Sequence, residues 1–186
     1  MRTRTETWAG LDDEALLIAV ANTGHGNHDE FADPHTAAAW WHDLRATPIR
    51  SERSGSPGPE DLERLSTLRA LIRCLALRNN GIDTDLDTTA LETLTLHPQL
   101  TGNPGLRAAQ AGDPIADLCA TAFAALLRAC ARPSWPRLKA CRGTDCRRVF
   151  MDHSRNTSRR WCDMAACGNR AKNETFRARH TSIAPT

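Results

Sequence analysis

The chain has 186 residues, 40% apolar and 25% charged, with a net charge of +2. That length and balance fit one globular domain with a small appendage and exclude a disordered tail. The longest apolar run, residues 15–21, falls far short of the roughly 20 residues a bilayer span needs and follows three acidic residues, the wrong flank for a secretory signal. The protein is therefore expected in the cytoplasm, without a membrane partner.

In chain order, DDEALLIAVANTG has an acidic entry and a Gly exit, which favours a helix, although so unbroken an apolar run also suits a buried strand. DPHTAAAWWHDLRA is clearer, with Asp33 as N-cap, Pro34 at the first helical position, and Trp40, Trp41 and Leu44 for a core face. Residues 49–60, rich in Ser, Gly and Pro, read as a linker. Leu62, Leu65, Leu68, Leu71, Ile72 and Leu75 then recur at three- and four-residue steps, an amphipathic helix ending at Gly81.

DTTALETLTL reads as a shorter helix, and residues 97–114, with three prolines, as a loop. A second Asp-Pro start, Asp113–Pro114, opens a helix with one apolar face from Ile115 to Cys130. Cys74 in the preceding helix, and Cys119 and Cys130 in this one, read as buried small hydrophobes. The fold class expected is mainly α: a multihelical part over 1–136, a small zinc module over 137–180, and a tail over 181–186.

The other four cysteines fall as Cys141-x4-Cys146 and Cys162-x4-Cys167, fifteen residues apart. Two close pairs with a hairpin-length spacer are what a tetrahedral tetrathiolate Zn²⁺ site needs. Seven cysteines cannot all pair, and in a reducing compartment clustered thiols bind metal more often than each other. Four thiolates close the shell, so the zinc is expected to be structural rather than catalytic. RRVFMDH reads as a strand, SRNTS as a turn, RRW as the returning strand and 164–179 as a helix. Knuckle, β-hairpin and helix in that order describe a treble-clef-like module.

RLKACRGTDCRRVFMDHSRNTSRRWCDMAACGNRAK resembles the CGNR zinc finger, whose tetrapeptide stands here as Cys167-Gly168-Asn169-Arg170. In that family the finger follows a domain called ABATE, associated with stress-induced transcription regulation. Residues 21–41, with the Asn22-Thr23 pair and the downstream DP…W, resemble its opening, and DPIADLCATAFAALL its last helix. The resemblance implies a bacterial-type transcription regulator that binds DNA.

Charge points the same way. Residues 137–180 hold twelve Lys/Arg against four Asp/Glu, a net of +8, while the remainder of the chain is at −6. A zinc tetrathiolate lowers the module to about +6. Arg142, Arg148 and Arg170 are candidates to neutralise the thiolates. Arg155, Arg159, Arg160, Arg170, Lys172, Asn173, Arg177 and Arg179 are the candidate nucleic-acid residues, with Arg170, Asn173 and Arg177 sharing one helix face. Phe176 is expected to pack on the hairpin.

Two other classes stay open. Asn22, Thr23, His25 and His28 could bind a small-molecule effector or substrate, making the protein an enzyme or binding protein with a structural zinc. His25, His28, Asp29 and His35 offer a second metal or acid–base cluster, although no pair has zincin spacing. The chain has no phosphate-cradling glycine motif, nucleophile elbow or dinucleotide fingerprint, which weighs against an enzyme. An adaptor using the basic helix on an acidic protein is the third class. The helical part could also form a homodimer.

Overall fold

The computed structural model describes residues 12–26, 28–45, 59–100, 105–108 and 113–181. The expected linker therefore lies, up to residue 58, outside the described residues, as does the tail beyond 181. The described chain is mostly helical, with a small antiparallel hairpin and a four-cysteine cluster toward its C-terminus. No helix among the described residues is long and apolar enough to cross a membrane.

Residues 13–22 resolve to a helix, α1 (Asp13–Asn22), because both ends are capped. Asp12 accepts from the Ala15 N–H at 2.7 Å, and the Thr23 hydroxyl donates to the Val20 carbonyl at 2.7 Å. Helix α2 (Pro34–Arg45) starts on Asp33, whose carboxylate accepts from the N–H groups of His35 and Thr36. Helix α3 (Pro59–Arg78) turns its leucine stripe inward, with Leu65, Leu68 and Ile72 fully buried. Its stop is Gly81, at φ +75°, a conformation in which a side chain would be strained. Helix α4 (Pro114–Cys130) is capped by Asp113, which accepts from Ile115 and Ala116.

α4 is the central helix, packed on α1, α2 and α3. Ile115, Leu118, Ala122, Ala125 and Leu126 meet Leu17, Val20, Trp41, Leu68 and Ile72 in one core. Each large side chain buried there contributes about 1.5–3 kcal/mol. Arg128 and Arg132 at the end of α4 clamp Asp13 at 2.7 and 2.5 Å, and Arg132 also holds Glu14 at 2.8 Å, fixing α4 against the start of α1. Cys119 is buried as expected and Cys74 half-buried, but Cys130 is exposed at the last residue of α4.

Two expectations fail in the middle of the chain. DTTALETLTL forms only a 3-10 turn, Thr89–Leu91, because Asp87 captures the Thr89 N–H and hydroxyl and holds the entry in a local turn. The proline-rich loop contains a hairpin, β1 (Leu96–Gln99) with β2 (Gly105–Ala108), in which β2 packs on α4. In a two-stranded hairpin each strand has an unpaired edge, where a proline such as Pro98 is tolerated.

Near the C-terminus β3 (Leu138–Ala140) pairs antiparallel with β4 (Val149–Met151). The hairpin thus straddles the first cysteine pair; residues 159–161 are not its returning strand. They stay outside the ladder because the buried Asp152 folds the chain directly after β4; the Arg160 carbonyl accepts from the Arg142 N–H instead of from a strand partner in the hairpin. A turn of π-helix, Met164–Gly168, leads into α5 (Asn169–Thr181). Leu138, Ala140 and Val149 belong to the same buried core as the four helices, so the acidic and basic parts of the chain share one interior.

Candidate metal centre and basic surface

The first cysteine pair sits at the tip of the β3–β4 hairpin. The Cys141 N–H bonds the Arg148 carbonyl at 2.8 Å, and the N–H groups of Cys146 and Arg147 return to the Gly143 carbonyl. Arg147 takes φ +52° to close this knuckle. A Cβ on Gly143 would lie 3.3 Å from the Cys146 Cβ and 3.6 Å from the Cys141 sulfur, so the bare backbone lets the knuckle wrap the sulfurs. Of the second pair, Cys162 precedes the π-turn and Cys167 lies within it, and Asp163 caps the turn on the Ala166 N–H at 2.7 Å.

All four sulfurs lie within 4.8 Å of one another, Cys146 to Cys162 at 3.5 Å and Cys162 to Cys167 at 3.8 Å. Zinc–thiolate bonds of about 2.3 Å in a tetrahedron require sulfurs about 3.8 Å apart. The cluster fits the ion. Cys141 is fully buried and the other three half-buried.

Among the sulfurs alone, burial pushes the Cys162 thiol far up and, with Cys146 beside it, raises Cys167 to about 11. Burial opposes ionisation of Cys146 too, but the Arg148 N–H and the neighbouring thiols hold its pKa below the usual value. Four thiolates so close together need a dication; Zn²⁺ supplies it and displaces the protons. The donors that reach sulfur are backbone N–H groups, Gly143 to Cys141 and Arg148 to Cys146. The Arg142 side chain, a candidate for that work, instead donates to the Asn80 carbonyl, with Nε at 2.8 Å.

The helical part grips this knuckle through side-chain amides. Asn22 pairs with the Val149 backbone as a strand would, donating to its carbonyl at 2.9 Å and accepting its N–H at 2.8 Å. His25 places Nε2 2.7 Å from the Cys146 carbonyl and Nδ1 2.9 Å from that of Asn22. At the end of α3, Asn79 donates to the carbonyls of Trp135 and Leu138, and the buried Asn80 to those of Ala140 and Arg160. Arg73 secures the corner by donating to Ala21 at 2.7 Å and Thr23 at 2.5 Å. Sequence patterns did not single out Asn79, Asn80 or Arg73; Asn-Asn-Gly reads as nothing more than a helix stop.

Of the candidate ligand-binding residues, Asn22, Thr23 and His25 thus come together at the junction with the knuckle, while His28 is exposed. Asp29 is paired with Arg69 at 2.5 and 3.0 Å, and His35 is exposed. Among the described residues only the four cysteines gather at metal-binding distance. A shallow dent, open to solvent, lies between knuckle and α5 and is lined by Thr144, Asp145, Arg170 and Glu174.

The basic residues divide into two sets. Arg137, Lys139, Arg142 and Arg159 are engaged internally. Arg159, a candidate nucleic-acid residue, donates to the carbonyls of Trp161 (2.9 Å) and Cys162 and stacks 4.9 Å from the Phe150 ring. Arg155 and Arg160 are exposed with no side-chain partner among the described residues. On α5, Arg170 and every residue from 172 to 179 are exposed, including Lys172, Asn173, Arg177 and Arg179. Phe176, expected to pack on the hairpin, is 61% exposed.

The fold and site define a helical protein with a structural zinc tetrathiolate built against its core. Residues 137–180 match the model of the CGNR zinc finger. No curated protein gives a significant match to the chain.

Proposed function

We propose that the protein is a cytoplasmic, zinc-dependent DNA-binding transcription regulator of bacterial type. The observation that carries this reading is α5, a helix on which every residue from 172 to 179 is exposed, with Arg170, Lys172, Arg177 and Arg179 along it. A solvated helix of that width suits a major groove, where Arg and Asn read guanine and adenine edges. Duplex DNA is favoured over single strands because few aromatics are on hand to stack bases. The zinc holds the helix in place and does no chemistry.

The helical part, which resembles ABATE, is assigned the regulatory role, binding an effector or a second copy of the chain. A small-molecule or enzymatic site at Asn22, Thr23 and His25 finds less support, since their polar atoms already bond the knuckle and the end of α1.

The test is binding of the zinc-loaded protein to duplex DNA across a salt series. Contact with about five phosphates gives a log K against log salt slope near −4.5. Absence of binding at low salt refutes the reading and promotes the adaptor.

A further inference from the structure

Residues 152–160 form a loop built from the inside. The buried Asp152 accepts from the N–H of Ser154 at 2.9 Å and of Arg159 at 3.0 Å, closing both ends of the loop on one carboxylate. Lys139, also buried, pairs with it at 2.8 Å and donates to the carbonyls of Thr157 at 2.6 Å and Arg159 at 3.2 Å. Arg137 takes the carbonyls of Asp152 and Ser154 at 3.0 and 2.8 Å, and the Ser154 hydroxyl accepts the Ser158 N–H at 3.2 Å. Thr157 is held at φ +50° at the tip. Two buried charges inside so small a module are costly unless fully bonded, and here they are. The inner carbonyls are consumed, and the outer rim presents Arg155, Asn156, Ser158 and Arg160 to solvent.

We infer that this loop is a preformed contact for the phosphodiester backbone of duplex DNA, made by Arg155 and Arg160, and that Asp152 with Lys139 positions it. The inference rests on the DNA reading and assigns the backbone contact within it. Guanidinium groups and serine hydroxyls are common phosphate donors, and such contacts fix register without reading sequence. Arg155 and Arg160 are the cations of this loop that are exposed and make no side-chain bond among the described residues. A rigid mount lowers the ordering cost of using them.

Salt-dependent binding to one duplex, measured with the zinc-loaded full chain, tests each part. Arg155→Ala/Arg160→Ala touches no internal bond and is expected to make the log–log slope shallower by about 2, while zinc content and far-UV spectrum stay at wild type. Lys139→Met/Asp152→Asn removes both buried charges, keeps an acceptor for Ser154 and leaves the outer arginines intact. It is expected to flatten the slope comparably, and adding the two arginine changes should flatten it no further. A wild-type slope in Arg155→Ala/Arg160→Ala overturns the contact. A wild-type slope in Lys139→Met/Asp152→Asn overturns the positioning, and should that variant lose zinc, the arginine pair still decides the contact. If the wild type fails to bind, the DNA reading falls and the inference with it.

Discussion

Removing the zinc should unfold more than the finger. Leu138 and Ala140 have no exposure and Val149 has 1%, all within the core that contains α1, α3 and α4. Releasing β3 and β4 returns Leu138 and Val149 to water at about 1.5–3 kcal/mol each, so about 3–6 kcal/mol in all. It also leaves Asn22, Asn79 and the buried Asn80 without their backbone partners, each bond contributing roughly 0.5–1.5 kcal/mol. Domain stabilities are about 5–15 kcal/mol, so this loss is a large share of the total. At about 2–4 °C per kcal/mol for a chain of this size, the burial alone shifts the melting temperature on the order of 10–20 °C. Thermal unfolding followed by circular dichroism, with and without a chelator and with released zinc quantified, reads this directly. The holo protein should melt in one transition. Complete zinc release with the helical signal melting at the holo temperature would refute a shared core and make the finger an independent module.

Zinc affinity should fall as pH drops, because the Cys162 thiol lies well above its usual value and Cys167 near 11, so protons compete with the metal. Chelator competition at several pH values checks this, and a pH-independent affinity contradicts thiolate ligation. Asp152→Asn, which strands the buried Lys139, should lower stability at neutral pH by about 3–5 kcal/mol. Burial opposes ionisation of Asp152, but Lys139, Ser154 and the Arg159 N–H overcome it and hold its pKa far below the usual carboxylate range. Its contribution is therefore complete above the unfolded value of about 4 and is lost as pH falls toward the folded value. Denaturant titrations between pH 7 and pH 2 should show the wild type losing more of its advantage over the variant as pH falls; a constant gap contradicts the pairing.

The metal site was legible because its chemistry is local in the chain: two x4 pairs and a turn-length spacer define a tetrathiolate whatever surrounds it. The Asp33-Pro34 and Asp113-Pro114 helix starts were legible for the same reason. The β1–β2 hairpin was not, since Leu96–Gln99 contains a proline and owes its strand to a partner that packs on α4. Residues 159–161 looked like a strand by composition, but the Asp152 carboxylate outbids the ladder for their first N–H. Asn22 and His25 stood out as polar residues at a helix end, and nothing local says that their partners lie more than 120 residues away in the knuckle.

Counting charge is informative only once its bonding is known. Twelve Lys/Arg in residues 137–180 suggest an undifferentiated basic surface, yet Arg137, Lys139, Arg142 and Arg159 spend their donors on carbonyls and on one buried carboxylate. These cations substitute for the apolar core that a module this small lacks, alongside the zinc. The cations that remain outside, Arg148 on the knuckle and those on the 152–160 loop and on α5, are the ones an anionic partner can meet. Removing an inner cation should therefore act through fold and zinc retention, and removing an outer one through the salt dependence of binding.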